Sequence, residues 1–340
     1  MVSQSNIQRI AWLDMLRGFA MACVIIAHPI NIPSDIEMWI YSFHMPLFFM
    51  ISGATFRYNK YDSFAQCCRD QAKRLLIPYV VMYVVCVPFW ILNRRILEGS
   101  DTSPWNLIIG FLTANESLGT MSNGALWFLP ALFLTSVTYW LLTYLHEHGK
   151  VNIAGSIAVC FLLGLFLTTC IDAAFPWHIQ CIPMITVFYF MGHAGMTAIR
   201  DHQATLASIG DSAVAALCVA LLAAGTWAAF DNGKISVHSN SYGTLALALI
   251  GIVGISGGLT LMFMKLPVIK PLDFIGKQSI IFLGYHVPVM RFFEFCPVTA
   301  DFSEHNSLWL SMACIVILFP IAYLIDRFAP FLAGKIRRRR

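Results

Sequence analysis

The residues best suited to chemistry in this chain are Asp14, Arg17 and His28 near its start, His44 a little further on, and Tyr285 and His286 towards its end. Asp14 and Arg17 are three positions apart, which makes them neighbours on one face of a helix. The eleven positions from Arg17 to His28 return, at about 100° per residue, to within about 20° of the same direction. All three therefore line one stripe, with His28 about 16 Å beyond Arg17 at 1.5 Å per residue. A guanidinium holds phosphates or carboxylates, and an imidazole, titrating near neutral pH, takes a proton from a hydroxyl. Together they suit group transfer from an anionic donor. A basic cluster of Arg69, Lys73 and Arg74 adds cations at the Arg17 end, Asp35 and Glu37 follow shortly after His28, and Trp127 offers an aromatic surface.

The elements that must position these side chains are membrane helices. Of the 340 residues, 58% are hydrophobic and 12% charged, against about 45–50% and about 25% in soluble domains. The apolar residues fall in blocks of about twenty, the length that crosses a hydrocarbon core of about 30 Å. Ten such spans are predicted: 10–28, 37–56, 75–93, 124–145, 151–171, 179–198, 211–230, 243–264, 278–296 and 307–328. The stretch from Trp105 to Leu112 is too short to span and reads as re-entrant or interfacial. The fold class is thus all-α and polytopic, a single integral membrane domain over 1–340 that ends in a basic tail, 329–340.

Lysine and arginine counts set the orientation. With the N-terminus inside, the inner side collects Arg9, the cluster from Arg57 to Arg74, Lys150, Arg200, Lys265, Lys270, Lys277 and the C-terminal residues, while Arg94, Arg95 and Lys234 fall outside. Both termini are expected to be cytoplasmic. The net charge of +4 is matched by the four terminal arginines Arg337 to Arg340, so it does not point to nucleic acid. No cleaved signal is expected, because the first apolar block carries Asp14 and Arg17.

Ionisable residues inside a bilayer cost about 2.5–3.5 kcal/mol each on insertion scales, so each needs a partner or a task. Arg17 and Asp14 can pair. Pro46 removes a backbone hydrogen bond close to His44, which should face a cavity. Smaller signals read as structural. Most of the ten cysteines lie in apolar blocks and none makes a C-x-x-C pair. His146 and His148 flank Glu147 in a tight loop and are not expected to bind metal. Gly251, Gly254, Gly257 and Gly258 suit close helix packing.

Four groups of residues in register carry a resemblance: Trp12, Asp14, Arg17, Gly18 and His28; His44 to Gly53; Leu126 to Leu129; and Gly276, Ser279, Tyr285, His286 and Pro288. In this order, from residue 10 to about 290, they resemble the acyltransferase 3 family of integral membrane acyltransferases, in its fucose 4-O-acetylase-like branch. The family's paired arginines at the start of the third helix are matched in part by Arg69, Lys73 and Arg74. The resemblance implies an O-acyltransferase of the bacterial inner membrane, surrounded by lipid. It would move acetyl or another short acyl group from acyl-CoA to a hydroxyl of a cell-surface or lipid-linked sugar, with no resident cofactor or metal. On this reading His28, Arg17 and Asp14 are catalytic, and Arg17, Arg69, Lys73 and Arg74 hold coenzyme A. The acceptor meets His44, Trp127, Tyr285, His286, Asp35 and Glu37. The competing reading is a transporter or exporter of a glycan or small molecule, since buried charges and broken helices also mark transport paths.

Overall fold

The computed structural model describes residues 10–92, 103–296 and 298–334. In chain order its helices are α1 (Ala11–Ile26), α2 (Ser34–Tyr41), α3 (His44–Ala54), α4 (Phe64–Ile91), α5 (Pro104–Thr113), α6 (Phe128–Glu147), α7 (Ile153–Cys170), α8 (Ile182–Asp201), α9 (Gln203–Ser208), α10 (Asp211–Asn232), α11 (Leu245–Lys265), α12 (Lys270–Lys277), α13 (Ser279–Phe295), α14 (Ala300–His305) and α15 (Ser307–Phe328). Among the described residues the only β pairing is an isolated bridge between Ser236 and Ser241. Arg9, Arg94, Arg95, Lys335 and Arg337–Arg340, which enter the charge count above, lie outside the described residues.

Among the described residues seven helical segments, against ten expected spans, are long and apolar enough to cross a bilayer: α4, α6 with the turn Gly124–Trp127, α7, α8 with the turn Pro176–Cys181, α10, α11 and α15. This makes the chain a multi-pass membrane protein. The other three expected spans carry the polar residues, and all three come out short. α1 has 16 residues, about 24 Å of rise against a core of about 30 Å. It stops because His28 precedes Pro29, a position biased away from helical backbone. The expected span 37–56 is two helices, α2 and α3, and this corrects the single Pro-broken helix. Pro46 cannot donate to the Ser42 carbonyl four residues back, and its ring would clash there. The chain therefore breaks at Phe43 and restarts, with Pro46 in the first turn of α3, where no donor is needed. α13 has 17 residues and follows α12 after Gln278.

The short polar helix α1 sits inside, and the long apolar helices α7 and α10 lie outside. Ten of the 16 residues of α1 are buried, whereas only 11% of the apolar window of α7 and 17% of that of α10 are covered by protein. α1 and α12 touch backbone to backbone. A Cβ on Gly18 would overlap the Leu272 carbonyl oxygen, and one on Gly276 would overlap that of Asp14. Gly254 packs on Gly225 and Gly258 on Leu222, joining α10 to α11 as the glycine spacing suggested. α5 is anchored by Tyr79, whose hydroxyl donates to the Phe111 carbonyl at 2.6 Å, and by Tyr83, which donates to the Leu107 carbonyl at 2.7 Å. Of the segment expected as a tail, Pro330–Ala333 form a 3-10 turn packed on α4 and α15, with Ala333 buried. All ten cysteines are free thiols.

Candidate active site

Helix ends and breaks gather the polar residues around one cavity of about 830 Å³, inside the range of about 300–1,000 Å³ usual for small-molecule sites. Of the residues singled out in the sequence, Arg17, His28, Glu37, His44, Arg74 and Trp127 line it. Arg17 Nη1 donates to Asp14 Oδ1 at 2.8 Å, which fixes the guanidinium along the α1 stripe. Arg74 lines the cavity from α4, whereas Arg69 and Lys73 do not. Helical periodicity accounts for the split, because five residues at about 100° each place Arg69 on roughly the opposite face from Arg74. Arg69 turns to Asp70 at 3.5 Å on the surface instead.

Three histidines share one local arrangement. His28 Nδ1 lies 2.6 Å from the Val24 carbonyl oxygen, His44 Nδ1 2.8 Å from that of Ile40, and His286 Nδ1 2.9 Å from that of Phe282. A carbonyl oxygen only accepts, so the partner assigns the proton to Nδ1 in each neutral ring and leaves Nε2 as the basic nitrogen. In His28 and His44 that lone pair belongs to a ring on the cavity wall. His44 also caps the break it follows, since its ring serves the Ile40 carbonyl near the end of α2.

At the His28 end, loops that sequence reasoning had not singled out complete the wall: Asn115 and Glu116 after α5, His178 before α8, and His238 after α10. His178 ties them together, with Nδ1 2.7 Å from the His238 carbonyl oxygen and Nε2 3.1 Å from that of Ala114. The non-glycine residues with left-handed backbone, Ala114, Trp177, His178 and Asn240, all fall in these same three loops. Such strain gathers where surrounding structure must hold a site in place. The Trp127 ring, set at the end of its 3-10 turn, lies 5.0 Å from the His178 ring and 5.8 Å from that of His238. Two ion pairs brace this end: Lys234 with Glu37 at 2.6 Å, and Arg291 with Glu294, whose other carboxylate oxygen accepts from the Ile30 amide at 3.1 Å. Lys277, counted above only as a loop cation, lines the cavity near Ser279. Hydropathy could have flagged Arg291, a cation inside the apolar stretch expected to span at 278–296. Loop residues such as His178 and His238 carry no periodic signal.

Besides Arg69 and Lys73, four further residues expected in the site stand off the cavity wall. Asp35 is exposed on α2 and does not border the cavity. Asp14 lies behind Arg17 rather than on the wall. Tyr285 turns away, its hydroxyl donating to the Leu332 carbonyl at 2.7 Å, because the packed C-terminal turn offers an acceptor there. His286 is fully buried and off the wall, with its ring 4.7 Å from that of His28 in a T-shaped contact.

In this helical membrane protein a guanidinium and an imidazole thus line the same cavity. A family model for an acyltransferase domain matches residues 10–327. The chain belongs to the acyltransferase 3 family. No curated protein and no solved structure matches it.

Proposed function

We propose that this membrane acyltransferase moves acetyl, or another short acyl group, from acyl-CoA to a hydroxyl of a cell-surface or lipid-linked sugar in the bacterial inner membrane. The observation that carries the reading is that Arg17, Arg74 and His28 border one continuous cavity. In the orientation set by the lysine and arginine count, both termini and the Arg17 end face the cytoplasm, where acyl-CoA is made. Arg17, Arg74 and Lys277 would hold the coenzyme A phosphates through charge-assisted hydrogen bonds. The sugar would enter from the His28 end, past Trp127, His44 and Glu37.

The chemistry asked of His28 balances simply. Its Nε2 takes the proton from the acceptor hydroxyl as the oxygen attacks the thioester carbonyl carbon. The carbon–sulfur bond then breaks, and the imidazolium returns the proton to the departing thiolate. The Val24 hydrogen bond supports this role by holding Nδ1 protonated and Nε2 free.

The test uses whole cells lacking the gene and restored with wild type or His28→Ala, with mass spectrometry of the surface glycans. The expected result is one O-acyl mass that disappears on deletion, returns with wild type and stays absent with His28→Ala. Unchanged acylation in the deletion strain overturns the reading, and loss of a whole glycan from the surface would favour the transporter.

A further inference from the structure

The pair His28 and His286 joins two parts of the chain more than 250 positions apart, and only one of its rings reaches the cavity. His286 has no exposed surface. Its Nδ1 is committed to the helix carbonyls of Phe282, at 2.9 Å, and Leu283, at 3.0 Å. Its Nε2 is therefore a bare acceptor, buried and without a hydrogen-bond partner among the described residues. Buried polar atoms are ordinarily satisfied, and exceptions are few. This one sits on a ring packed directly behind His28, at 4.7 Å and 90°.

We infer that His286 is a positioning residue that holds the His28 ring at the cavity wall and stabilises the imidazolium formed there during transfer. The inference rests on His28 acting as the base. A neutral imidazole at right angles to a cationic one attracts it where its electron-rich nitrogen, and not a C–H edge, meets the charge. Nε2 is that nitrogen, since Nδ1 is committed to the helix carbonyls and Nε2 carries the unshared pair. The attraction is greatest when the pair is desolvated, as it is on the His286 side. An apolar side chain in place of His286 would pack, but it would leave the transient charge on His28 without that neighbour.

Several charged or titratable groups also face the pair: Glu37 on α2, His44 on α3, Lys234 and His238 in the loop after α10, and Arg291 further along α13, itself paired with Glu294. The thiol of Cys314 on α15 lies 3.7 Å from the His286 carbonyl oxygen, and that of Cys86 on α4 lies 3.5 Å from the Gly284 carbonyl. All of these stay in place when only the His286 side chain is changed.

The test is the rate at which diethylpyrocarbonate modifies His28 in the detergent-solubilised full chain, read by mass spectrometry of the His28 peptide between pH 5 and 8. The reagent attacks neutral imidazole only, so the profile reports protonation of His28 without donor or acceptor. His286→Leu removes the polar ring, His286→Gln keeps an acceptor near the Nε2 position, and His286→Asn keeps only the short donor to Phe282. With His286→Leu the midpoint should fall by about half a pH unit or more, giving about threefold faster modification on the acid side. His286→Gln should lie closer to wild type than His286→Asn. A His286→Leu profile superimposed on wild type overturns the inference, and so does equal behaviour of Gln and Asn. If His286→Leu does not fold, the Gln and Asn comparison decides alone. Normal glycan acylation with His28→Ala would instead defeat the role of His28 as base, and the modification profile would be unaffected by that failure.

Discussion

Arg17→Met should destabilise the protein far more than Asp14→Asn, although each removes one partner of the same ion pair. The two side chains differ in access: 23% of Arg17 is exposed and borders the cavity, against 10% of Asp14, which does not. Asp14 Oδ2 is also buried without a hydrogen-bond partner among the described residues. Removing Arg17 leaves a carboxylate with no counter-charge in apolar surroundings, at a cost of about 3–5 kcal/mol. Removing the charge of Asp14 leaves a guanidinium that reaches solvent and still has an amide oxygen to bond. That loss is about 1 kcal/mol, the difference between a doubly and a singly charged hydrogen bond. The double variant should be more stable than Arg17→Met by about 2 kcal/mol or more, because it discharges the stranded group. Reversible unfolding in mixed detergent micelles, run as a double-mutant cycle, measures all three. If Asp14→Asn costs as much as Arg17→Met, or the double variant gains nothing, the pair is not held in the asymmetric setting described.

Arg74→Gln should weaken binding of a non-reactive acetyl-CoA analogue by about tenfold or more in calorimetry, while Arg69→Gln leaves it near wild type, since only Arg74 borders the cavity. Gly276→Ala forces a methyl group against the Asp14 carbonyl and should cost about 1–3 kcal/mol in the same unfolding assay. Equal stability would mean that α1 and α12 can part freely. Under the proposed orientation a cysteine at Ser34 should label from outside the cell, and one at Gly149 only after the membrane is opened.

How far each feature could be read from the sequence followed from its range. The α1 stripe was legible because helical periodicity is local: Asp14 and Arg17 share a face of α1, His28 follows two residues beyond its end, and Arg17 and His28 do meet the same cavity. The seven long spans were legible from hydropathy. Length misled at 37–56, where a mostly apolar stretch of twenty positions read as one helix although Pro46 and the Phe43 backbone divide it. Arg69, Lys73 and Arg74 formed one cluster in sequence, but the helix they share spreads them around its axis. Tyr285 and His286 are adjacent, and their surroundings part them: one meets the C-terminal turn, the other His28. Contacts of that kind depend on how distant segments come together, as does the knot of loops around His178, and no local pattern encodes them.

The arrangement that puts the short polar helix α1 inside and the long apolar helices α7 and α10 outside has a consequence for how bilayer thickness acts on this protein. A helix that meets lipid along its whole length must answer a change in hydrocarbon depth by tilting or by drawing the lipid to it. α7 and α10 are in that position. α1, α3 and α13 are mostly walled off by other helices, so their 16, 11 and 17 residues are released from matching the membrane. Their lengths can instead follow the spacing between Arg17 and His28. From α7 and α10, lipid composition should then reach the cavity indirectly, through the seams that α7 makes with α8 and α10 with α11 and α2. Tight glycine packing in the second of these leaves little slack to pass a tilt inward without moving α11 as a whole.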